Sequence, residues 1–170
     1  GSIMTDSGAY QLLVYGNVDI SPSEIIAFQE EIKSDIGVIL DVPTGGHEKR
    51  ERATFTVEET VRRAREWAET RRQSGTMWVG PVQGGTYSEL VEQCAKEVGK
   101  LDFDIHAIGS PTQIMETYRF DRLVDLIVTA KVNLPIERPT HLFGAGHPSM
   151  FSLAVALGCD MFDSASYILF

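Results

Sequence analysis

Two segments near opposite ends of the chain each place an aspartate at the end of a short apolar run: Thr5-Asp6-Ser7-Gly8-Ala9-Tyr10-Gln11 and Cys159-Asp160-Met161-Phe162-Asp163-Ser164. Strand ends are where α/β enzymes keep their reacting groups. Ile3-Met4-Thr5 and Met161-Phe162 read as strand ends, and the small residues after Asp6 and Asp163 allow tight turns that leave each carboxylate facing a cleft. Two such carboxylates can divide nucleophile and acid/base roles. A plainer reading of each, a helix N-cap or turn aspartate, stays open at this point.

The elements that must position them alternate. Strand patterns occur at 3–5, 36–40, 77–82, 105–108, 140–143 and 160–162, separated by helical periodicity. Ser21-Pro22-Ser23-Glu24 is a capping box that opens a helix patterned by Ile25, Ile26, Phe28, Gln29 and Ile32. Thr56-Val57-Glu58-Glu59 reads as a second capping box, with Val57, Val61, Ala64, Trp67 and Ala68 on one face of its helix. Further helices run through Leu90, Val91, Cys94, Ala95 and Val98, from Tyr118 to Val132, and from Pro148 to about Leu157. Repeated β-α units imply a parallel sheet. The strand ends are Asp6, Asp41, Gln83, Gly109-Ser110, Gly144-Ala145-Gly146-His147 and Asp163, so every strand delivers a polar or glycine-rich end. One contribution from many strands around a shared mouth favours a barrel over an open sheet. The expected fold is therefore α/β, of the (β/α)8 TIM-barrel type, with about six β-α units forming an incomplete barrel over residues 3–170. Gly1-Ser2 reads as a cloning remnant.

Composition narrows the partners. The chain has 170 residues, 43% of them apolar, with 15 Lys plus Arg against 24 Asp plus Glu and a net charge of -9. That suits one domain with a real core and argues against a surface that coats nucleic acid indiscriminately. Cys94 and Cys159 suggest no disulfide framework, and no Cys-x-x-Cys spacing occurs. No apolar run approaches the roughly 18 residues of a membrane span, and the start lacks a secretory pattern, so a cytoplasmic, membrane-free setting is expected.

Other motifs are weak. Gly144-Ala145-Gly146 lacks the remaining glycine of a dinucleotide fingerprint, although a helix starting at Pro148 could hold a phosphate. His47, His106, His141 and His147 have no i,i+4 partner or clustered carboxylate, so no metal site is expected from this segment. His141, within a strand pattern, reads as a hydrogen-bonded structural residue. Gln83-Gly84-Gly85 suits either close approach of a planar ligand or an ordinary strand-to-helix turn.

Thr5-Asp6-Ser7-Gly8-Ala9-Tyr10-Gln11, Ser34-Asp35-Ile36-Gly37 followed by Leu40-Asp41-Val42-Pro43, Val82-Gln83-Gly84-Gly85, and His141-Leu142-Phe143-Gly144-Ala145-Gly146-His147-Pro148 through Asp160-Met161-Phe162-Asp163-Ser164 resemble the tRNA-guanine transglycosylases, in the right order along nearly the whole chain. Asp163-Ser164-Ala165 and Phe143-Gly144-Ala145-Gly146-His147 resemble the archaeal branch, which makes archaeosine. The resemblance implies a (β/α)8 barrel that exchanges a D-loop guanine of tRNA for 7-cyano-7-deazaguanine (preQ0). It also implies a zinc site downstream of the last motif here, so no cofactor is expected within this chain and the chain reads as an internal catalytic fragment. A homodimer stands among the assemblies it allows.

Base exchange with retention at an anomeric carbon needs two displacements, one carboxylate attacking C1′ while another group handles protons. The resemblance makes Asp163 the nucleophile and Asp6 the acid/base. Asp41, Gln83 and the backbone around Gly109 would read the base edge, with Ser7 nearby and Tyr10 as the stacking ring. Lys49, Arg50 and Arg52, read as a loop after the Asp41 strand, could meet phosphates or simply be solvated. Arg62, Arg63, Arg65, Arg71 and Arg72 alternate with Glu58, Glu59, Glu66 and Glu69 and read as a salt-bridged surface. Two further classes remain: a non-catalytic truncated piece or half-enzyme, and, more remotely, a two-carboxylate glycoside hydrolase, for which the expected strand-end aromatics are missing apart from Tyr10.

Overall fold

Strands β1 (Met4–Thr5), β2 (Ile36–Val38), β3 (Met77–Val82), β4 (Ile105–Ile108), β5 (Thr140–Leu142) and β6 (Met161–Phe162) lie in one sheet in chain order, each pair of neighbours parallel. This architecture comes from a computed structural model, which describes residues 1–11, 16, 20–71, 74–145 and 148–164. A doubly wound sheet reverses its strand order at a switch point, whereas one wound continuously curls toward a barrel. The expected incomplete barrel is what forms: a curled half-barrel with helices between its strands. They are α1 (Pro22–Glu31), α2 (Arg50–Thr70), α3 (Ser88–Val98), α4 (Pro111–Glu116), α5 (Phe120–Lys131) and α6 (Pro148–Ala156).

Period-2 alternation sends side chains to two separate cores. Toward the concave side, Val38, Val79, Ile105 and Ala107 pack with Met4, Ile36, Phe143 and Met161. Toward the helices, Trp67, Trp78, Phe103, Ile108, Leu123, Ile127 and Leu142 belong to a larger buried cluster. Trp67 stacks on Phe103 with centroids 4.0 Å apart, and Phe103 meets the His106 ring edge-on. His106 is buried on this side, and neither of its ring nitrogens has a partner among the described residues. Burial pushes its pKa down to about 4, with Arg138 and Lys131 adding repulsion, so the ring is neutral.

Most of the helical periodicity translates directly into burial, including Val57, Val61, Ala64 and Trp67 on α2 and all five apolar residues named for α3. Three details differ. First, α2 starts at Arg50, so Thr56 is not a cap: its hydroxyl donates to the Ala53 carbonyl at 2.8 Å inside the helix. Lys49, Arg50 and Arg52 accordingly form the helix start, not a loop. Second, the helix expected from Tyr118 begins at Phe120, after the short unforeseen α4 and a left-handed Tyr118 (φ 54°). Third, α1 has its expected capping box, but it buries Gln29 while Phe28 is 54% exposed and Ile32 48%.

Gln29 explains that inversion. Strand β1 ends at Thr5, one step short of covering Val38, whose N–H and C=O would face the core unpaired. The Gln29 amide takes their place, accepting from Val38 N and donating to Val38 O, each at 2.9 Å. Gln29→Leu keeps the volume and strands both backbone groups, so denaturant unfolding should show a loss of about 2–4 kcal/mol. Phe28→Gln on the same helix should change stability by less than about 0.5 kcal/mol, and the reverse ranking would show that α1 docks through its apolar residues.

Candidate active site

Barrel geometry sets which residues meet at the mouth. Pro81 pairs with Ala107, Ala107 with His141, and His141 with Met161, giving one inward row across β3, β4, β5 and β6. Two residues further along each strand direction come Gln83, Gly109, Phe143 and Asp163, and Asp6 stands two beyond inward-facing Met4. These positions form the layer that faces the opening.

Gln83 is the centre of this layer. Buried to 2% exposure, its Nε2 donates to Asp41 Oδ2 at 2.5 Å, and its Oε1 accepts from Thr44 N at 3.0 Å and Ser110 Oγ at 2.8 Å. The amide thereby joins the ends of β2, β3 and β4. Gly109 has no side chain because a Cβ there would overlap the Gln83 amide. Its own N–H is committed to Val82 O at 2.9 Å, so any contact it makes to a base goes through its carbonyl. At Gly84 (φ 138°) a Cβ would lie 2.6 Å from Val91 N, which makes this glycine a requirement of the turn into α3.

Asp41 is held from behind by residues the periodicity reading passed over. Past Val38 the chain leaves the ladder, and α2 catches it: Thr60 Oγ1 accepts from Val42 N at 3.0 Å, and the Arg63 guanidinium donates to the Leu40 and Asp41 carbonyls at 3.4 and 3.3 Å. Thr44 Oγ1 lies 2.6 Å from Thr56 Oγ1 and accepts from Gly84 N at 3.1 Å. Thr56, Thr60 and Arg63 share one helix face at spacings of four and three, a buried polar stripe that was visible in the sequence.

The carboxylates differ in environment. Asp41 is 3% exposed, and burial raises its pKa to about 6 against the opposing Gln83 bond, with the Asp6 charge adding to the rise. Asp6 is exposed at the end of β1 and accepts from Ser7 N at 2.8 Å. Ser7 is buried, and its Oγ accepts from Ala9 N at 3.4 Å. Tyr10 follows in the same segment, 54% exposed. The Asp163 side chain is half exposed and accepts from His141 Nε2 at 2.9 Å and Gly144 N at 2.8 Å. Burial alone would raise its pKa, but these two donors outweigh it and hold the carboxyl below its ordinary value.

Of the expected site residues, Asp41, Gln83 and Gly109 are in direct contact, and Asp6 lies near enough to act on Asp41 electrostatically. His141 does prove hydrogen-bonded, but its partner is Asp163, which strand periodicity alone did not reveal. The phosphate site considered at the Gly144–His147 turn falls partly on Gly146 and His147, outside the described residues. Arg50 pairs with Glu89, Arg62 and Arg63 with Glu59, Arg65 with Glu97 and Arg71 with Asp102, so these arginines are internally compensated; Arg72 lies outside the described residues. No group of three or more His, Cys, Asp or Glu among the described residues is placed to hold a metal ion.

The chain is similar to known proteins along its whole length. The Queuine tRNA-ribosyltransferase family matches residues 1–170. The chain is 54% identical over 169 residues to the tRNA-guanine(15) transglycosylase of Pyrobaculum aerophilum, covering 99% of this chain and 34% of that protein. It is 50% identical over 170 residues to the protein of the same name from Methanocaldococcus jannaschii, covering 99% of this chain and 26% of the relative. It is also 50% identical to that of Methanosphaera stadtmanae, 25% of which it covers. The chain thus spans between a quarter and about a third of the length of these curated relatives.

Asp41 makes a testable cost of the site. Its folded pKa of about 6 exceeds the ordinary 3.8, so the native state holds the extra proton between those values and stability falls as pH rises through that window. The penalty is complete above about pH 6 and absent below about pH 4. Asp41→Asn retains an acceptor for Gln83 and removes the buried charge. Denaturant unfolding should find the variant more stable than the parent by about 2–3 kcal/mol at pH 8, with the gap closing toward pH 4. A gap independent of pH would mean that the carboxylate is not desolvated.

Proposed function

Because the chain belongs to the queuine tRNA-ribosyltransferase family, we propose that the protein is a tRNA-guanine transglycosylase of the archaeal kind, exchanging a D-loop guanine for 7-cyano-7-deazaguanine through a covalent ribosyl-aspartate intermediate. The names of its relatives support the reading. The observation that carries it is the buried Asp41–Gln83 pair at the strand ends. Guanine and 7-cyano-7-deazaguanine both present a ring N–H and an exocyclic amino group beside a carbonyl. A carboxylate accepts from the first two, and an amide N–H donates to the third. Adenine offers the opposite pattern, so it would leave Asp41 facing a lone pair in a dry site.

In this reading Tyr10 supplies the stacking ring, with Ser7 and the Gly109 carbonyl completing the base pocket. Asp163 attacks C1′ while the bond to the departing base breaks and its electron pair leaves with the base, which takes up a proton through Asp6. The incoming base gives its proton to Asp6 and displaces Asp163, restoring the original configuration. Lys49 and Arg52, at the start of α2 on the mouth side, would meet tRNA phosphates, with Arg50 joining them if it leaves Glu89. The zinc implied by the resemblance finds no ligand cluster among the described residues, and no step here runs through it. No described helix is long and apolar enough to cross a membrane.

The test uses the full-length protein, tRNA and labelled guanine. Asp163→Ala should abolish both exchange and trapping of tRNA on the protein while leaving tRNA binding largely intact; exchange at about a tenth of normal would move the nucleophile elsewhere. Calorimetry with the free bases should find Asp41→Asn binding weaker by about 1–3 kcal/mol for both guanine and 7-cyano-7-deazaguanine.

A further inference from the structure

His141 is 2% exposed at the centre of β5, in the inward row with Ala107 and Met161, one layer beneath the mouth. Its surroundings are apolar or aromatic: the Phe143 ring stands edge-on to it, centroids 4.8 Å apart at 74°. A leucine would fill such a place without the desolvation cost of an imidazole. The ring's one polar bond in the described structure leads upward, from Nε2 to Asp163 Oδ1 at 2.9 Å, and Nδ1 is buried with no partner among the described residues. An imidazole kept dry on one nitrogen and bonded on the other to a half-exposed carboxylate serves that carboxylate more than it serves the core.

The bond also specifies the proton. An ionised carboxylate only accepts, so a hydrogen must sit on His141 Nε2. The Nε2–H therefore orients Asp163 through a directional bond. The Gly144 N–H donates to the same oxygen, Oδ1, at 2.8 Å. Two donors converging on Oδ1 fix the carboxylate's rotation and direct Oδ2 away from them.

We propose that His141 is a positioning residue for the Asp163 nucleophile: with the Gly144 N–H it holds Oδ1 so that Oδ2 is the oxygen that attacks. The inference rests on the ribosyl-transfer reading above. The Oδ2 lone pair forms the bond to C1′ as the bond from C1′ to the base nitrogen breaks, the electron pair departing with the base and the proton reaching it through Asp6. Asp163 follows directly on the two-residue strand β6 and is half exposed, so without His141 its carboxylate would sample rotations in which neither oxygen is in line. Misplacement of a reacting atom by about 1 Å costs on the order of a hundredfold in rate.

Three forms of the full-length protein decide it: the parent, His141→Leu, which fills the space with no donor, and His141→Gln, which returns an amide N–H near the place of Nε2. Single-turnover trapping of tRNA on Asp163 should slow by about 10–100-fold in His141→Leu, with the KM values for tRNA and base within about twofold of the parent. His141→Gln should recover trapping to within about threefold of the parent, and the leucine variant should melt no earlier, because a buried polar group has been removed. Trapping at the parental rate in His141→Leu would overturn the proposal, as would equal loss in both variants accompanied by a lower Tm. If the parent itself traps no tRNA, the ribosyl-transfer reading fails instead. Should the leucine variant not fold, 15N shifts of the His141 ring in the parent decide: a protonated Nε2 is required, and a bare Nε2 overturns the assignment.

Discussion

The side-chain amide of Gln83 is the joint on which the mouth of this half-barrel depends. Parallel strands are held together by their ladders only as far as the ladders run, and here β2 leaves the ladder after Val38. Beyond that point, Gln83 does with one planar group what three further backbone bonds would have done, receiving Thr44 N and Ser110 Oγ on its oxygen and giving its N–H to Asp41. Its neighbours are constrained in turn. Gly109 must be a glycine to leave room for the amide, and the α2 face of Thr56, Thr60 and Arg63 must be polar to hold the 40–44 segment against it.

Gln29 repeats the device at the last residue of the same strand, on the side facing β1, bonding both backbone groups of Val38. The two glutamines thus supply backbone-like partners where very short strands run out, one at the outer edge of β2 and one at the mouth. Isolated polar side chains in an apolar core usually cost stability; these offset their burial because nearly all of their hydrogen-bonding capacity is met. The same economy does not extend to the Asp41 carboxylate, whose raised pKa marks a desolvation that its single strong partner does not cancel.

Environment then separates two carboxylates of identical chemistry. Asp41, deep and facing one amide, is driven toward protonation, while Asp163, at the rim with two donors on one oxygen, is held ionised. Under the proposed function the difference suits the two roles, since reading donors on a planar base gains from a dry, rigid place and attack gains from charge and a fixed orientation. Within the net charge of -9, most of the arginines named on α2 are already paired with acidic neighbours, so that helix face is close to electrically balanced.

By itself, the sequence determined the strands, all the helices but α4, and their order, since hydrophobic period, capping chemistry and glycine placement are local properties: β3 and β4 fall at their expected bounds, and α1 opens on the Ser21 box. The strand-end residues were legible for the same reason, and the motifs around Asp6, Asp41, Gln83 and Asp163 were enough to carry the family. Tertiary structure alone decided which of those residues touch. Thr56 looked like a cap because Thr-x-x-Glu is a local signal, yet a helix that must reach back to the strand end begins earlier and turns that threonine inward. His141 looked structural because a strand pattern records that a side chain is buried and not what it faces. Its bond to Asp163 exists only because parallel register sets β5 beside β6, so that residues 22 positions apart meet one layer below the mouth.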